Sequence, residues 1–561
     1  MPPDRRTDPT APESTAAPAA PVPAWVRVLA WLLVAALAVR VGAGVWDMAA
    51  HSGWFPHWDA AAHGFDGEQM ARAVAAGDAG RFLALVNARG EWAPLFPILE
   101  VPMFLIFGYG YVTASAQMPF YLALATVAVF AAGMALGGRR GLVAGAIAAA
   151  CFAASPYVQY HGTNSMLELP GTLALMLATA AYVRFTRTGT MRDARLTAIA
   201  TTALCFIKWN YGVLWLVPLA LNEIGRSIVS PARLRAGGLG PLPRSLLLWT
   251  GLPLALWFAN PRHLKLLLRY AEGMPSPPIG FADHVMFYPR AFAEVYMREA
   301  WLAVIVLAVA AAAVAMTFAR RLPAGERFFP VAFAAGLVLT TLHEYKLNRF
   351  FLTVTPFVWL SFGLVVAMGL ERLLARREAL QRVAAPAAAF AALALALAGG
   401  ADTNFVRERH ERWSAPPAAR AVLDAIGDVH RASQGTSLLG AWTLLSNPLV
   451  EWDLALEGIG DAPAPRPRNP AWYGETSPRA ALDSLAADPR VERLMVLDLP
   501  RAAPTWRHNF AFEFPRHAEW LEALAGDPRF ELEARREFPE TGYTLLVYRT
   551  PTSRAASRSR P

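Results

Sequence analysis

Residues 25–45 read WVRVLAWLLVAALAVRVGAGV, about one bilayer-length of almost unbroken apolar helix. A signal-peptide core is shorter, so the stretch reads as an uncleaved membrane anchor. Before it, residues 1–24 are rich in Pro, Ala and Thr, carry Arg5 and Arg6, and read as a disordered cytoplasmic segment. After it, apolar runs recur at about 114–136, 141–157, 167–184, 196–222, 245–259, 300–318, 328–342, 350–369 and 383–399. Lys208, Trp209 and Asn210 interrupt the run at 196–222, which is expected to be two short helices. Composition agrees with a membrane bundle: 55% of the 561 residues are hydrophobic and 17% charged, against about 25% charged in soluble proteins. Disordered, collagen-like and disulfide-scaffold classes are excluded. The 2 cysteines, Cys151 and Cys205, lie in apolar runs and identify no redox compartment.

Arginines orient the bundle. They cluster at Arg139/Arg140, Arg184/Arg187/Arg192/Arg195, Arg226/Arg233/Arg235/Arg244, Arg320/Arg321/Arg327 and Arg372/Arg376/Arg377/Arg382. The positive-inside rule puts all of these on one side if 196–222 crosses twice and the Pro-rich stretch 93–112 does not cross. The expected fold is an α-helical polytopic membrane protein of about eleven transmembrane helices with a C-terminal extracytoplasmic α/β domain. Its expected divisions are 1–24, a membrane domain at 25–400 with a first outer loop at 46–113, the outer domain at 401–550, and a disordered tail at 551–561. The outer domain is announced by Pro-rich linkers (415–417, 463–470), amphipathic segments at 418–431 and 480–488, and strand-like runs at 493–497 and 543–548. The setting is the cytoplasmic (inner) membrane, N-terminus inside. The net charge of +9 is then mostly short Arg-rich loops, and no nucleic-acid partner is expected.

Chemistry in such a bundle resides in costly polar residues. The first outer loop carries Asp59, Asp66 and Glu68 directly after the anchor, then a helix ending near residues 76–78. Carboxylates there suit a general base meeting a lipid-linked substrate. The competing reading is a solvated loop in which Asp66 caps the following helix. His57 and His63 share the loop and are candidates for a divalent metal, without a zinc-site spacing. A later outer turn ends on Glu168, a candidate for binding a sugar hydroxyl or pairing with a cation.

Only three of the 52 basic residues are Lys: Lys208, Lys265 and Lys346. Lys208 lies deep in an apolar run. Lys346 belongs to His343-Glu-Tyr-Lys-Leu-Asn-Arg349-Phe350, between two spans. His343, Lys346 and Arg349 are spaced i, i+3, i+6; as a helical turn they would share a side and, with Lys208, make a phosphate pocket. The bland alternative is a charged loop with snorkelling side chains. Tyr345 and Asn348 are candidate substrate contacts in the same segment. Lys265 has no assigned role.

These pieces, in this order, resemble the GT-C membrane glycosyltransferases, nearest the branch of protein O-mannosyltransferases and aminoarabinose lipid A transferases. The resemblance covers residues 25–400 or so. It rests on Phe65-Asp66-Gly67-Glu68, Trp92-Ala-Pro-Leu-Phe-Pro97, Ala154-Ser-Pro156 through Glu168, Lys208, and His343–Phe350 followed by Pro356. It implies a polyprenyl-phosphate sugar as donor, a lipid, glycan or protein acceptor, and inverting transfer on the outer face. By the same resemblance Asp66 is the base, with Glu68 or Asp59 in support or in its place. Lys208, Lys346, Arg349 and His343 would hold the leaving phosphate. Two positions depart from the pattern: Gly67 splits the usual acidic pair, and Gln117 stands where an Arg is common. Other readings are a transporter or flippase of a lipid-linked glycan, a non-catalytic assembly protein acting through its tail, and a ligase using a diphosphate-linked glycan.

Overall fold

The structure is a computed structural model. It describes residues 21–56, 58–89, 92–229, 240–271, 280–319, 321–343, 346–433, 436–439, 445, 447–458, 477–489, 491–498 and 517–552. The chain forms two compact units. The first gathers Met1–Ala49, Ala73–Leu99 and Ala116–Val406; the second gathers Ala50–Arg72, Glu100–Ser115 and Arg407–Pro561.

In chain order the helices up to residue 229 are α1 (Ala24–His51), α2 (Trp58–Ala75), α3 (Ala79–Ala88), α4 (Leu95–Phe107), α5 (Tyr111–Ala116), α6 (Met118–Met134), α7 (Gly138–Ala154), α8 (Pro156–His161), α9 (Glu168–Thr188), α10 (Met191–Ile207) and α11 (Trp209–Val229). Among the described residues six helices are long and apolar enough to cross a membrane: Ala24–His51, Tyr111–Met134, Ala300–Phe318, Gly325–Leu342, Thr355–Leu373 and Ala379–Gly399. α7, α9, α10 and α11 have 17 to 21 residues each but carry more polar groups. The Pro-rich stretch forms α4, whose 13 residues reach about 20 Å.

Small residues set the helix packing of the first unit. A Cβ on Gly133 of α6 would lie 2.2 Å from the Gly145 Cα of α7, and one on Gly363 would lie 2.9 Å from the Ala144 Cα. Lipid offers apolar groups no gain from burial against each other, so such close approach is what holds membrane helices together. Polar ties mark one end of the unit. Arg140, at the start of α7, bonds Glu326 at 2.8 Å and Glu371 at 2.7 Å. The end of α9 bonds the start of α10 through Arg184 and Asp193, 3.3 Å apart. α9 has 21 residues and rises about 31 Å, so Glu168 at its start lies roughly one hydrocarbon thickness from this Arg-rich end.

The run at 196–222 does break at Lys208. The backbone there is extended (φ −155°, ψ 119°). Its amide closes α10 onto Leu204, and its carbonyl opens α11 by accepting the amides of Tyr211 and Gly212.

The second unit holds a four-stranded sheet in the order β1 (Thr436–Leu439), β2 (Arg493–Asp498), β4 (Tyr543–Arg549), β3 (Glu531–Phe538). β1 and β2 run parallel, the other pairs antiparallel. β2 and β4 match the two strand-like runs, and the amphipathic segments form helices Arg420–Arg431 and Pro478–Ala487. β3, mostly exposed, is a charged edge strand without apolar alternation, a composition that blunts edge pairing. Leu494, Val496, Leu546 and Tyr548 pack with Leu482, Leu485, Trp520 and Leu524, and Trp58 at the start of α2 rests on this cluster. The Pro-rich linker 463–470 lies outside the described residues.

Candidate active site

The acidic residues of the first loop lie on α2 in the second unit. Asp66 is in the middle of this helix and does not cap its start, which corrects the capping expectation. The helix runs on past it because Gly64 and Gly67 are packing positions. A Cβ on Gly64 would meet the Trp452 ring at 2.4 Å, and one on Gly67 would meet the Glu100 carboxylate at 2.6 Å. Gly67 therefore separates Asp66 from Glu68 for want of space. α2 ends near the expected place, with Gly77 at φ +68° and Asp78 capping α3 by accepting the Arg81 amide at 2.8 Å.

Glu68 is fully buried. Its Oε1 accepts from the Arg72 guanidinium at 2.8 and 2.9 Å. Its Oε2 accepts from the Gly110 amide at 2.9 Å and the Trp452 indole N–H at 2.8 Å. Gly110 lies at φ +116°, a conformation that L side chains resist. Four donors saturate the lone pairs of a carboxylate, so Glu68 is a structural anchor. Asp59, His63 and Asp66, spaced i, i+4, i+7, share the opposite face of α2. His63 is buried there, whereas Asp59 and Asp66 are half-buried. Among the described residues no three His, Cys, Asp or Glu side chains converge as a metal site. His57 lies outside the described residues.

The cationic residues lie in the first unit. Lys208, 11% exposed, bonds the fully buried Glu168 at 3.1 Å. The Tyr211 hydroxyl donates to the same oxygen at 3.3 Å. Glu168 Oε2 has no hydrogen-bond partner among the described residues, and Arg349 and His161 are close enough to act on its charge. Phe350 is the meeting point: Lys208 Nζ lies 5.7 Å, Arg349 Cζ 5.8 Å and the His343 ring 5.5 Å from its ring centre.

Lys346 turns elsewhere. Among the described residues after Leu342, His343 and Leu347 are extended and residues 348–351 form a short 3-10 helix. The Lys346 ammonium caps the preceding helix, donating to the carbonyls of Thr340 (3.1 Å), Thr341 (2.5 Å) and His343. It also lies 5.5 Å over the Tyr288 ring. Burial pulls it down to about 8. Asn348 gives its carbonyl to the Tyr296 hydroxyl at 2.6 Å. Tyr345 lies outside the described residues.

The sequence reading assigned nothing to Trp452, Asp453, Tyr111 or Arg420. The Tyr111 hydroxyl donates to Asp453 at 2.7 Å, Arg420 pairs with Asp453, and the Tyr111 ring stands edge-on to Trp452 at 4.7 Å. No local signal marked them, since Trp452 is 384 residues from Glu68 along the chain.

No family model matches the chain, and no curated protein matches it. Solved structures do. ArnT from Cupriavidus metallidurans in the apo state aligns with a TM-score of 0.53 at 14% identity, over 93% of this chain and 98% of that one. The same enzyme bound to undecaprenyl phosphate gives 0.50 at 14% identity, over 94% and 98%. The Archaeoglobus fulgidus oligosaccharyltransferase tethered to an acceptor peptide gives 0.50 at 11% identity, over 93% and 74%. At these identities the likeness speaks for architecture, and by architecture the chain is a polytopic membrane protein of the GT-C fold.

Proposed function

We propose that the chain is a membrane glycosyltransferase that moves a sugar from a polyprenyl-phosphate donor to a hydroxyl acceptor on the outer face of the inner membrane. The observation that carries this is the convergence of Lys208, Arg349 and His343 on Phe350, at a break between two apolar helices. Lys208 is only 11% exposed and Arg349 is half-buried, and taking a cation out of water costs several kcal/mol, which an anionic substrate offsets. The α11 N-terminus adds backbone N–H groups and positive dipole at the same point. The likeness to a structure holding undecaprenyl phosphate supports the same choice of donor.

In the proposed reaction Asp66 takes the acceptor hydroxyl proton, with Asp59 as second candidate. The acceptor oxygen forms a bond to the anomeric carbon as the bond from that carbon to the phosphate oxygen breaks. A single displacement inverts the configuration. Lys208 and Arg349, with His343, stabilise the phosphate as it leaves. Glu168, fully buried, neutralises part of the Lys208 charge. Asn348 belongs to the same proposed substrate surface. Glu68 and Lys346 hold α2 and the 343–351 segment in place. Donor, acceptor and surrounding lipid are the expected partners, and the N-terminus is cytoplasmic.

The test incubates purified protein with a panel of undecaprenyl-phosphate sugars and a cell-envelope lipid extract, reading products by mass spectrometry. A product from one donor, abolished by Asp66→Asn at normal abundance and thermal stability, is the expected result. Transport of lipid-linked glycan in vesicles without transfer would overturn the reading. Full activity in Asp66→Asn would move the base to Asp59.

A further inference from the structure

We propose that Trp452 and Asp453, in the C-terminal part of the chain, are positioning residues that fix the rotation of α2 and so aim Asp66 at its substrate. The inference rests on the reading of Asp66 as base and gives the C-terminal region a part in the reaction.

Two residues along an α-helix lie about 200° apart around its axis. Glu68 therefore projects from the side of α2 opposite Asp66, and whatever grips Glu68 sets the direction of Asp66. The grip comes from outside the helix. Gly110 and Trp452 each donate to Glu68 Oε2, at 2.9 and 2.8 Å. The Trp452 ring also fills the space beside Gly64, one turn earlier on the same side. Asp453 secures this arrangement by accepting from the Tyr111 hydroxyl at 2.7 Å and pairing with Arg420. Tyr111 follows Gly110 directly, so the two donors to Glu68 are tied through neighbouring residues. Farther along, the Phe55 amide donates to the Ala415 carbonyl at 2.9 Å, and Trp58 rests on the sheet's core. The start of α2 and its anchoring side are thus both held by residues after 406.

A carboxylate about 6 Å from the helix axis moves by about 2 Å when the helix turns 20°, and a displacement of 1 Å can cost about a hundredfold in rate. The indole N–H of Trp452 is a single donor with no substitute on Phe, so Trp452→Phe removes it while keeping an aromatic ring beside Gly64.

The experiment uses the full chain in detergent. Labelled undecaprenyl phosphate counts binding sites, and the donor that yields product in the panel above gives turnover per site. Trp452→Phe is expected to lower turnover per site at least tenfold with undecaprenyl phosphate affinity unchanged. Asp453→Asn keeps an acceptor for Tyr111 but loses the ion pair, and is expected to lower turnover per site about threefold. A purely structural role would loosen the C-terminal region, read by limited proteolysis, and would lower turnover only in proportion to the fraction of chain that becomes cleavable there. Unchanged turnover per site in both variants, with Asp66→Asn inactive, would overturn this proposal alone. An active Asp66→Asn would instead remove the base assignment on which it rests.

Discussion

Removing Lys208 is expected to separate its pairing with Glu168 from its proposed hold on the donor phosphate. The Lys208–Glu168 pair is 3.1 Å long, and its side chains are 11% and 0% exposed. At that distance the attraction is about 5 kcal/mol in an effective dielectric of 20. Breaking a buried pair from one side costs about 3–5 kcal/mol, because the surviving charge has nowhere to go. Glu168 would keep the Tyr211 hydroxyl and the nearby charge of Arg349. Lys208→Met should therefore lie at the lower end, about 3 kcal/mol. Adding Glu168→Gln removes the stranded charge, so the double variant should return to within about 1 kcal/mol of wild type. Thermal unfolding in detergent should show the single variant several degrees below wild type and the double variant close to it. Donor binding should behave differently and stay lost in both, because neither regains a cation for the phosphate. A single variant as stable as wild type, or a double variant no better than the single, would refute the stability argument. Donor affinity restored in the double variant would show that Lys208 only neutralises Glu168.

Three further variants follow from the geometry. Arg349→Ala should weaken undecaprenyl phosphate binding by about 10- to 100-fold, the worth of one charge-assisted hydrogen bond. Lys346→Met, which removes a helix cap, should lower thermal stability and weaken binding less; the reverse order would reassign the two. His410 is buried, stacks on Trp54 and shares a hydrogen bond with Ser414 at 3.0 Å, and burial pushes it down to about 4. Its folded form stays neutral while the unfolded chain gains a proton below about 6.5. The stability it contributes is complete above that pH and is lost as pH falls towards 4, at up to about 1.4 kcal/mol per pH unit. Thermal unfolding of wild type and His410→Gln across this window should show a steeper fall in wild type than in the variant.

The membrane character, the Arg-rich ends and the break at Lys208 were legible in the sequence because each depends on local composition. An apolar run declares its own burial, and a lysine inside one declares a conflict that the backbone resolves by breaking the helix. Strands β2 and β4 were legible for the same reason. Strand β3 was not, since its exposed, charged residues show no alternation.

The site divides along the same line. The sequence by itself determined that carboxylates cluster after the anchor and that scarce lysines occur at two polar points. Tertiary structure decided which partners each group has. It committed Glu68 to Arg72, Gly110 and Trp452, turned Lys346 onto the carbonyls of the preceding helix, and brought Lys208, Arg349 and His343 to one ring. A side chain's chemistry depends on its partners, and these partners come from segments far apart in the chain. Residue type states what a group can donate, accept or titrate; only the folded chain states whether that capacity is already spent.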